Sequence, residues 1–510
     1  MGVEVDKVPS KFEPGGPDVL PLNGHSLPIR ELRLTSAGSS ASDKSAEVDW
    51  ETTRHLAAAT QLDLRYARLV VRKIIGEPFR VVAPAAGADV VVVTRWALAA
   101  LRRRAQRDAA LTCLLIFGSV TALIAWTWIP LAVVTALAVL VVAQERWVRD
   151  VKVITRLMLR GRFRARDAPS SPSPRIEERL AVVKEQQNGN LVVFRGQSAF
   201  VGSGQRVLHD RILVNVALGK RGKNGKRQQP IPFSNPELHA ALETALKGMD
   251  FPELRVCERL FVNGEHVAGN SRLLPNPLGP PVASAPPNLL YNGCLHPTPE
   301  ARTYLCAEIG GWKGQLVVSL FARAVQARGS LQVEWTFHLL PPLHDNLLQI
   351  DHWFERRRIR QLANAVGTGF IWSIPSLILA PVNFVRHAAG PLIDKLHIKK
   401  QSFAIRNGYV FNYGSLRSIR EDPISYKVPH YFLAQDQLTF ILLAEHTMIR
   451  ALGRFLKAHK VDMKQFTSQE ETFINKVKNY NVDEINAHNV SVGNKSRAGD
   501  SKGSASSSGK

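Results

Sequence analysis

The stretch Leu111–Gln144 reads LTCLLIFGSVTALIAWTWIPLAVVTALAVLVVAQ, 34 residues without one formal charge. Soluble helices do not ordinarily hide an apolar run of that length. One straight helix over it would run about 50 Å, well past a hydrocarbon core of about 30 Å. Its middle, Trp126-Thr127-Trp128-Ile129-Pro130, interrupts it. Tryptophan favours the water–lipid boundary, and proline removes an amide donor. The run therefore predicts two short crossings, about 108–126 and 129–146, joined by a tight tip at Trp126, Trp128 and Pro130.

The flanks agree with that reading. Arg102, Arg103, Arg104 and Arg107 precede the run. Arg146 and Arg149 follow it, then Lys152, Arg156, Arg160, Arg162, Arg164 and Arg166, against only Glu145 and Asp150. Basic residues beside membrane segments stay on the cytoplasmic side. Both flanks then face inward, which requires an even number of crossings and leaves the N- and C-terminal regions cytoplasmic in a multi-pass plasma-membrane protein. The whole chain carries 66 Lys+Arg against 43 Asp+Glu, a net charge of +23. The partner this implies is a bilayer with anionic headgroups, worth about 1 kcal/mol per basic residue near the surface. Nucleic acid ranks below it, because the basic loop at Lys220, Arg221, Lys223, Lys226 and Arg227 has no interleaved aromatic residues. Residues 1–30 contain no signal peptide. Cys113, Cys257, Cys294 and Cys306 form no C-x-x-C pair, so neither zinc nor a disulfide framework is expected, and the soluble part suits a reduced compartment.

In chain order, residues 1–47 are rich in Pro, Gly and Ser and read as disordered. Residues 48–107 form a helical N-terminal region. One amphipathic helix runs from Asp49 to Gly76, and a second runs from Asp89 through Arg107 into the first crossing of the 108–146 hairpin. Residues 147–175 are a basic stretch ending in a Pro/Ser linker. Residues 176–345 read as a cytosolic α+β domain. Its expected strands are Leu191–Phe194, Arg211–Leu218, Leu254–Val262, Arg302–Ile309, Gln315–Val325 and Ser330–Leu340. Ser234-x-x-Glu237 is a capping box that opens a helix to Lys247. Asn263-Gly264 predicts a hairpin turn into Glu265–Val267. Strands joined by short turns argue for a mostly antiparallel sheet.

A second apolar stretch covers 362–385 between two basic flanks, and Pro375 and Pro381 divide it. The flanks favour a re-entrant or interfacial helical hairpin, with a true crossing as the rival. The C-terminal helical region, 386–480, contains an amphipathic helix over Tyr431–His459 and a shorter one over 468–479. The tail, 481–510, ends in disorder. The fold class expected is thus α+β: a transmembrane helical hairpin, a mostly antiparallel α+β domain and C-terminal helices.

Five stretches carry a family resemblance: Leu62–Pro84, Asn190–Gly204, Leu254–Gly264, Leu339–Leu343, and the tail Ile485–Ala498, INAHNVSVGNKSRA. Together they resemble a family of actinobacterial integral membrane proteins of unassigned function, over about residues 50–498. The tail, of the form IN-x-x-x-V-x-VG, is similar to those on proteins of bacterial conflict or signalling systems, although it lacks the Gly-Gly segment that commonly precedes it. The resemblance implies a membrane protein and carries over no catalytic residue.

Three groups are candidates for chemistry. Phe200-Val-Gly-Ser-Gly204 could cradle a phosphate on its amides, but no GK[ST] follows, and a plain sheet turn is the better reading. His338, His344, Asp345, Asp351, His352 and Glu355 have the types for a metal or an acid–base pair, in no ligand spacing. No G-x-S-x-G nucleophile elbow occurs. The expectation is a non-enzymatic scaffold or sensor at the inner leaflet, with no cofactor and no metal. Its amphipathic helices would offer faces for a second copy or a protein partner. The alternatives are a membrane-disrupting effector of a conflict system and a membrane-anchored hydrolase using the His338–Glu355 group.

Overall fold

Asp89 opens the helix that organises the chain. Its carboxylate accepts from the amides of Val91 (2.8 Å) and Val92 (3.2 Å), which have no partner inside the helix. The computed structural model describes residues 50–222, 224, 226–251, 253–348, 350–351, 358–415, 417–423 and 431–478. All of them belong to one compact unit, Ala46–Lys510. The disorder expected of 1–47 and at the end of 481–510 lies outside the described residues.

Two helices come first, α1 (Trp50–Leu62) and α2 (Leu64–Ile74). The single helix expected from Asp49 to Gly76 is split at Asp63, whose side chain accepts from the Arg65 amide (2.7 Å) and caps α2. A short acidic side chain serves a helix start better than a helix interior. Helix α3 (Val90–Ala125) then runs unbroken for 36 residues. Its first turns are core, with Val90, Val93 and Ala97 fully buried. Beyond Leu115 most of its large apolar side chains are bare, Phe117 being 68% and Ile124 80% exposed. Helix α4 (Ile129–Trp147) returns beside it and continues as a π-helical segment, Val148–Thr155. At the tip Trp126 adopts a left-handed φ of 52°. Pro130 sits in the first turn of α4, where its missing amide would have had no helical partner. Gly118 lets the two helices close on each other, since a Cβ there would lie 2.4 Å from Val134 Cγ2. The expected hairpin is present.

After α5 (Pro174–Asn188) the chain builds a six-stranded sheet: β1 (Leu191–Phe194), β2 (Gln205–Asn215), β3 (Leu254–Asn263), β4 (Ala301–Gly311), β5 (Leu316–Ala327) and β6 (Ser330–Leu340). The order is β1-β3-β4-β5-β6-β2. Only β1 and β3 pair in parallel, and every other pairing is antiparallel. Strand β2 starts and ends earlier than expected, because Val216 and Ala217 already bond to Gly329 O at the β5–β6 turn (2.8 and 3.1 Å). That turn, Arg328-Gly329, has two positive φ angles, 49° and 79°, as a two-residue hairpin requires.

Asn263-Gly264 makes no hairpin. The Gly264 amide donates to Phe194 O, and its carbonyl accepts from Tyr413 N, so tertiary bonds hold the glycine where a turn was expected. Helix α6 (Asn235–Lys247) starts on the predicted capping box, Ser234 Oγ lying 3.0 Å from Glu237 Oε1. The Pro/Asn loop after β3 carries helix α7 (Pro287–Leu295) and is followed by β4.

One face of the sheet is the main core. Alternate residues of the strands, such as Leu305, Ala307 and Ile309, meet α6, α10 (Tyr431–Ala458) and α11 (Lys464–Lys478). Leu433, Ile441, Met448, Leu452 and Leu456 of α10 are buried there. The apolar side that might have served a partner is thus largely consumed by the protein's own sheet.

A short helix, α8 (Asp345–Leu348), precedes α9 (Arg358–Arg406), which is one helix of 49 residues with Pro375, Pro381 and Pro391 inside it. This corrects the expected helical hairpin at 362–385: prolines cost backbone bonds but do not reverse a helix. Gly369 backs onto Ala143, a Cβ there coming within 3.2 Å of the alanine Cβ. His387 Nδ1 lies 3.9 Å from Asp108 Oδ2. Ala143 and Asp108 stand at the same level of the hairpin, beside the Arg104–Glu145 pair. Helix α9 therefore packs against both helices of the hairpin. Leu377 and Ala380 join Leu111, Ala138 and Val142 in the small core there.

Gly204 has φ +81°, and a Cβ on it would lie 2.1 Å from Leu339 O; Gly196, with φ +102°, faces open space. Gly204→Ala should lower the unfolding temperature of the detergent-solubilised protein clearly more than Gly196→Ala. The latter should cost only the backbone strain of about 1–3 kcal/mol. Scanning calorimetry of the two variants side by side checks this.

Candidate functional site

The arginines predicted to border the membrane converge at the hairpin base. Glu145, its side chain only 5% exposed, lies between Arg103 (Nε–Oε1 3.6 Å) and Arg104 (Nε–Oε1 3.3 Å). Arg103 also donates to Gln61 Oε1 (2.8 Å), which ties the collar to α1. Arg107 pairs with Asp108 (2.5 Å), and Arg149 with Asp150 (2.6 Å). Among the described residues, Arg102 and Arg146 make no ion pair. A cavity of about 540 Å3 opens between this collar and the linker Pro169–Pro172, with Arg95, Arg102, Arg103 and Arg107 on its wall. From the collar to the exposed tip, Trp126 (89%) and Trp128 (75%), the hairpin carries no charge. The three helical segments Val90–Ala125, Ile129–Thr155 and Gly369–Arg406 are long and apolar enough to cross a membrane.

The glycine-rich turn holds an anion of its own. Glu421 Oε1 accepts from the amides of Gly202 (3.0 Å) and Gly204 (3.1 Å), and its other oxygen accepts from Ser418 N (2.8 Å). A carboxylate from the chain thus occupies the nest a phosphate would need. The basic loop is a hairpin bound to the end of α10, with Lys220 N on Lys460 O (2.8 Å) and Gly222 N on Lys226 O (2.9 Å). Its Lys223 lies outside the described residues.

The His338–Glu355 group is not one site. His338 is buried on β6 beside the stacked rings of Phe200 and Phe321, and burial pushes its pKa down to about 4. Asp351 instead bonds Arg54 (2.6 Å) and His55 (3.1 Å) of α1. Burial acts against its charge, yet those two partners hold its carboxyl well below the usual range. His344 is exposed, and its amide donates to Pro423 O. His352 and Glu355 lie outside the described residues.

One donor cluster went unseen in the sequence. His239 (α6), Glu258 (β3) and Cys294 (α7) bring one ligand atom each within 4.8 Å of one another. His239 Nδ1 meets both Glu258 Oε1 (2.9 Å) and Cys294 Sγ (3.5 Å). A catalytic relay would use opposite ring nitrogens, so this is no Cys–His–Glu triad. The donor set could hold a divalent ion through three protein ligands. Burial, aided by Glu258, raises the Cys294 thiol to about 12, so a bound cation would have to displace its proton. The three lie far apart in sequence, which left no spacing to read.

Residues 212–494 match the AbeC-like domain, more than half of the chain. The chain belongs to the AbeC-like domain family. The AbeC-like segment begins within β2, takes in most of the sheet with α9, α10 and α11, and leaves the hairpin outside. Neither the curated proteins nor the solved structures include a match.

Two outcomes test this geometry. Glu145→Ala strands two partly buried arginines, at a cost of about 3–5 kcal/mol, and should lower the unfolding temperature sharply. Adding Arg104→Gln should restore part of the loss, a coupling that a double-mutant cycle in detergent measures. His338 binds a proton near pH 6.5 when unfolded but only near 4 when folded. Stability should therefore fall as pH drops from about 6.5 to about 4, by roughly 3 kcal/mol for this group. Thermal melts across that window should show a shallower fall for His338→Phe.

Proposed function

We propose that this AbeC-like protein is a non-enzymatic scaffold or sensor whose α3–α4 hairpin crosses the plasma membrane and holds the α+β domain at the inner leaflet. The carrying observation is the hairpin's division into a bare apolar arm and an arginine collar. Leu123, Ile124, Trp126, Trp128 and Leu140 are between 64% and 89% exposed, and each such side chain left in water forgoes about 2 kcal/mol. The collar arginines Arg102 and Arg146, which make no ion pair among the described residues, meet anionic headgroups, and the adjoining cavity accepts them. The position of α9 supports an interfacial role for that helix. It packs on both hairpin helices and bares Phe370, Ile371, Ile374, Ile378 and Val382. An even number of crossings then leaves both terminal regions cytoplasmic. The bare face of α9 is the surface open to a second copy or a protein partner.

A second reading, a membrane-disrupting effector of a bacterial conflict system, draws support from α9 lying inside the AbeC-like segment. Dye leakage from vesicles would separate the two: equal leakage from wild type and from Ile378→Asp/Leu379→Asp discards the effector.

For the anchor, the protein should stay in the membrane pellet through alkaline carbonate extraction. In a Cys113→Ala background, Trp128→Cys should react with an impermeant maleimide on intact cells, whereas Ser170→Cys should react only after lysis. Recovery in the soluble fraction, or reaction of Ser170→Cys on intact cells, ends the proposal.

A further inference from the structure

A second cavity, about 570 Å3, lies away from the collar. Its walls are α2, the connector 77–83, Arg195 just past β1, and residues 414, 415 and 417–419. Half-buried Arg179 fixes that connector, donating to Ile74 O (3.1 Å), Glu77 O (3.1 Å) and Arg80 O (2.8 Å). The lining is cationic. Arg65, Arg68 and Arg72 stand along α2, facing Arg80, Arg195 and Arg417, with Lys73 beside them.

Few of the described acids pair with these cations. Lys73 is taken by Asp422 (2.7 Å). Glu77, the one acid in the lining, is shared between Arg80 (3.5 Å), His397 (3.3 Å) and Gln401 (2.8 Å). Among the described residues, Arg65, Arg68, Arg72, Arg195 and Arg417 make no ion pair. Like charges at helical spacing, as in Arg65–Arg68 and Arg68–Arg72, destabilise a helix. Arg80 is held in place over the Phe411 ring (5.3 Å) with its Nε on Asn412 O (3.2 Å). Between the cations lie apolar Leu69, Val81, Val82 and Ile419. The volume suits one small molecule, and converging guanidinium groups suit phosphate oxygens, which they bind two at a time.

We infer that this cavity binds a multiply phosphorylated small ligand, its phosphates between the α2 arginines and Arg195 and its less polar part on the Leu69–Val82 floor. The inference does not depend on how the hairpin meets the bilayer. Such a group could arrive free in solution or on a lipid headgroup.

The full chain in phosphatidylcholine nanodiscs should bind inorganic pyrophosphate with a saturable calorimetric isotherm that weakens with salt. Arg68→Gln/Arg72→Gln and Arg195→Gln should each weaken it about tenfold or more, while exposed Arg272→Gln should not. Without pyrophosphate the α2 double variant should melt no lower than wild type, since it relieves repulsion, which separates lost binding from lost folding. If pyrophosphate fails but nanodiscs containing phosphatidylinositol bisphosphate compete for a labelled headgroup, and the variants abolish this, the phosphate comes on a lipid. No saturable binding of either probe, or binding that the variants leave unchanged, overturns the inference.

Discussion

The contact of Glu145 with Arg103 and Arg104 is the joint on which this molecule turns. Helix α3 begins inside the globular core at Val90 and ends at a bare tryptophan tip, so one rigid rod passes through two kinds of surroundings. Between them the chain must gather positive charge without losing the packing of α4 against α3. The buried Glu145 carboxylate does this for Arg103 and Arg104, as Asp108 does for Arg107. It offsets two guanidinium groups, and through Arg103 and Gln61 it extends the joint to α1. A like-charged collar with no internal acid would push the hairpin apart at its base.

The same device recurs in the soluble part. Glu421 fills the amide nest at Gly202 and Gly204, and so binds the 417–423 segment to the turn between β1 and β2. Asp351 binds Arg54 and His55, and so ties the chain after β6 to α1. Internal carboxylates thus take the places that foreign anions would occupy. The exception is the arginine-lined cavity beside α2, where the acids are committed elsewhere.

Much of the architecture could be read along the chain. The apolar runs of β4, β5 and β6 between short turns, the capping box at Ser234, and the charge-free run with its Trp/Pro centre each carry their own signal. Failures came where a local signal met a tertiary competitor. Asn263-Gly264 has the chemistry of a hairpin, yet its glycine is held by Phe194 and Tyr413. The amphipathic pattern through Asp63 hid a cap. The prolines of 362–385 suggested breaks, yet α9 continues because the hairpin packs against it on both sides of Pro375 and Pro381.

The sequence by itself determined the element types, the antiparallel bias of the sheet, and the hairpin with its basic border, because hydrophobic period and charge placement act over a few residues. Only the tertiary structure decided that α9 packs on both helices of the hairpin, and that Glu145 and Glu421 are the anions of their sites. The same holds for the meeting of His239, Glu258 and Cys294, and for the two opposing walls of arginines around one cavity. These joins reach across the chain, 19 positions for His239–Glu258 and more than 300 for Arg65–Arg417. No local pattern encodes such pairs, because what brings them together is the burial of a shared core.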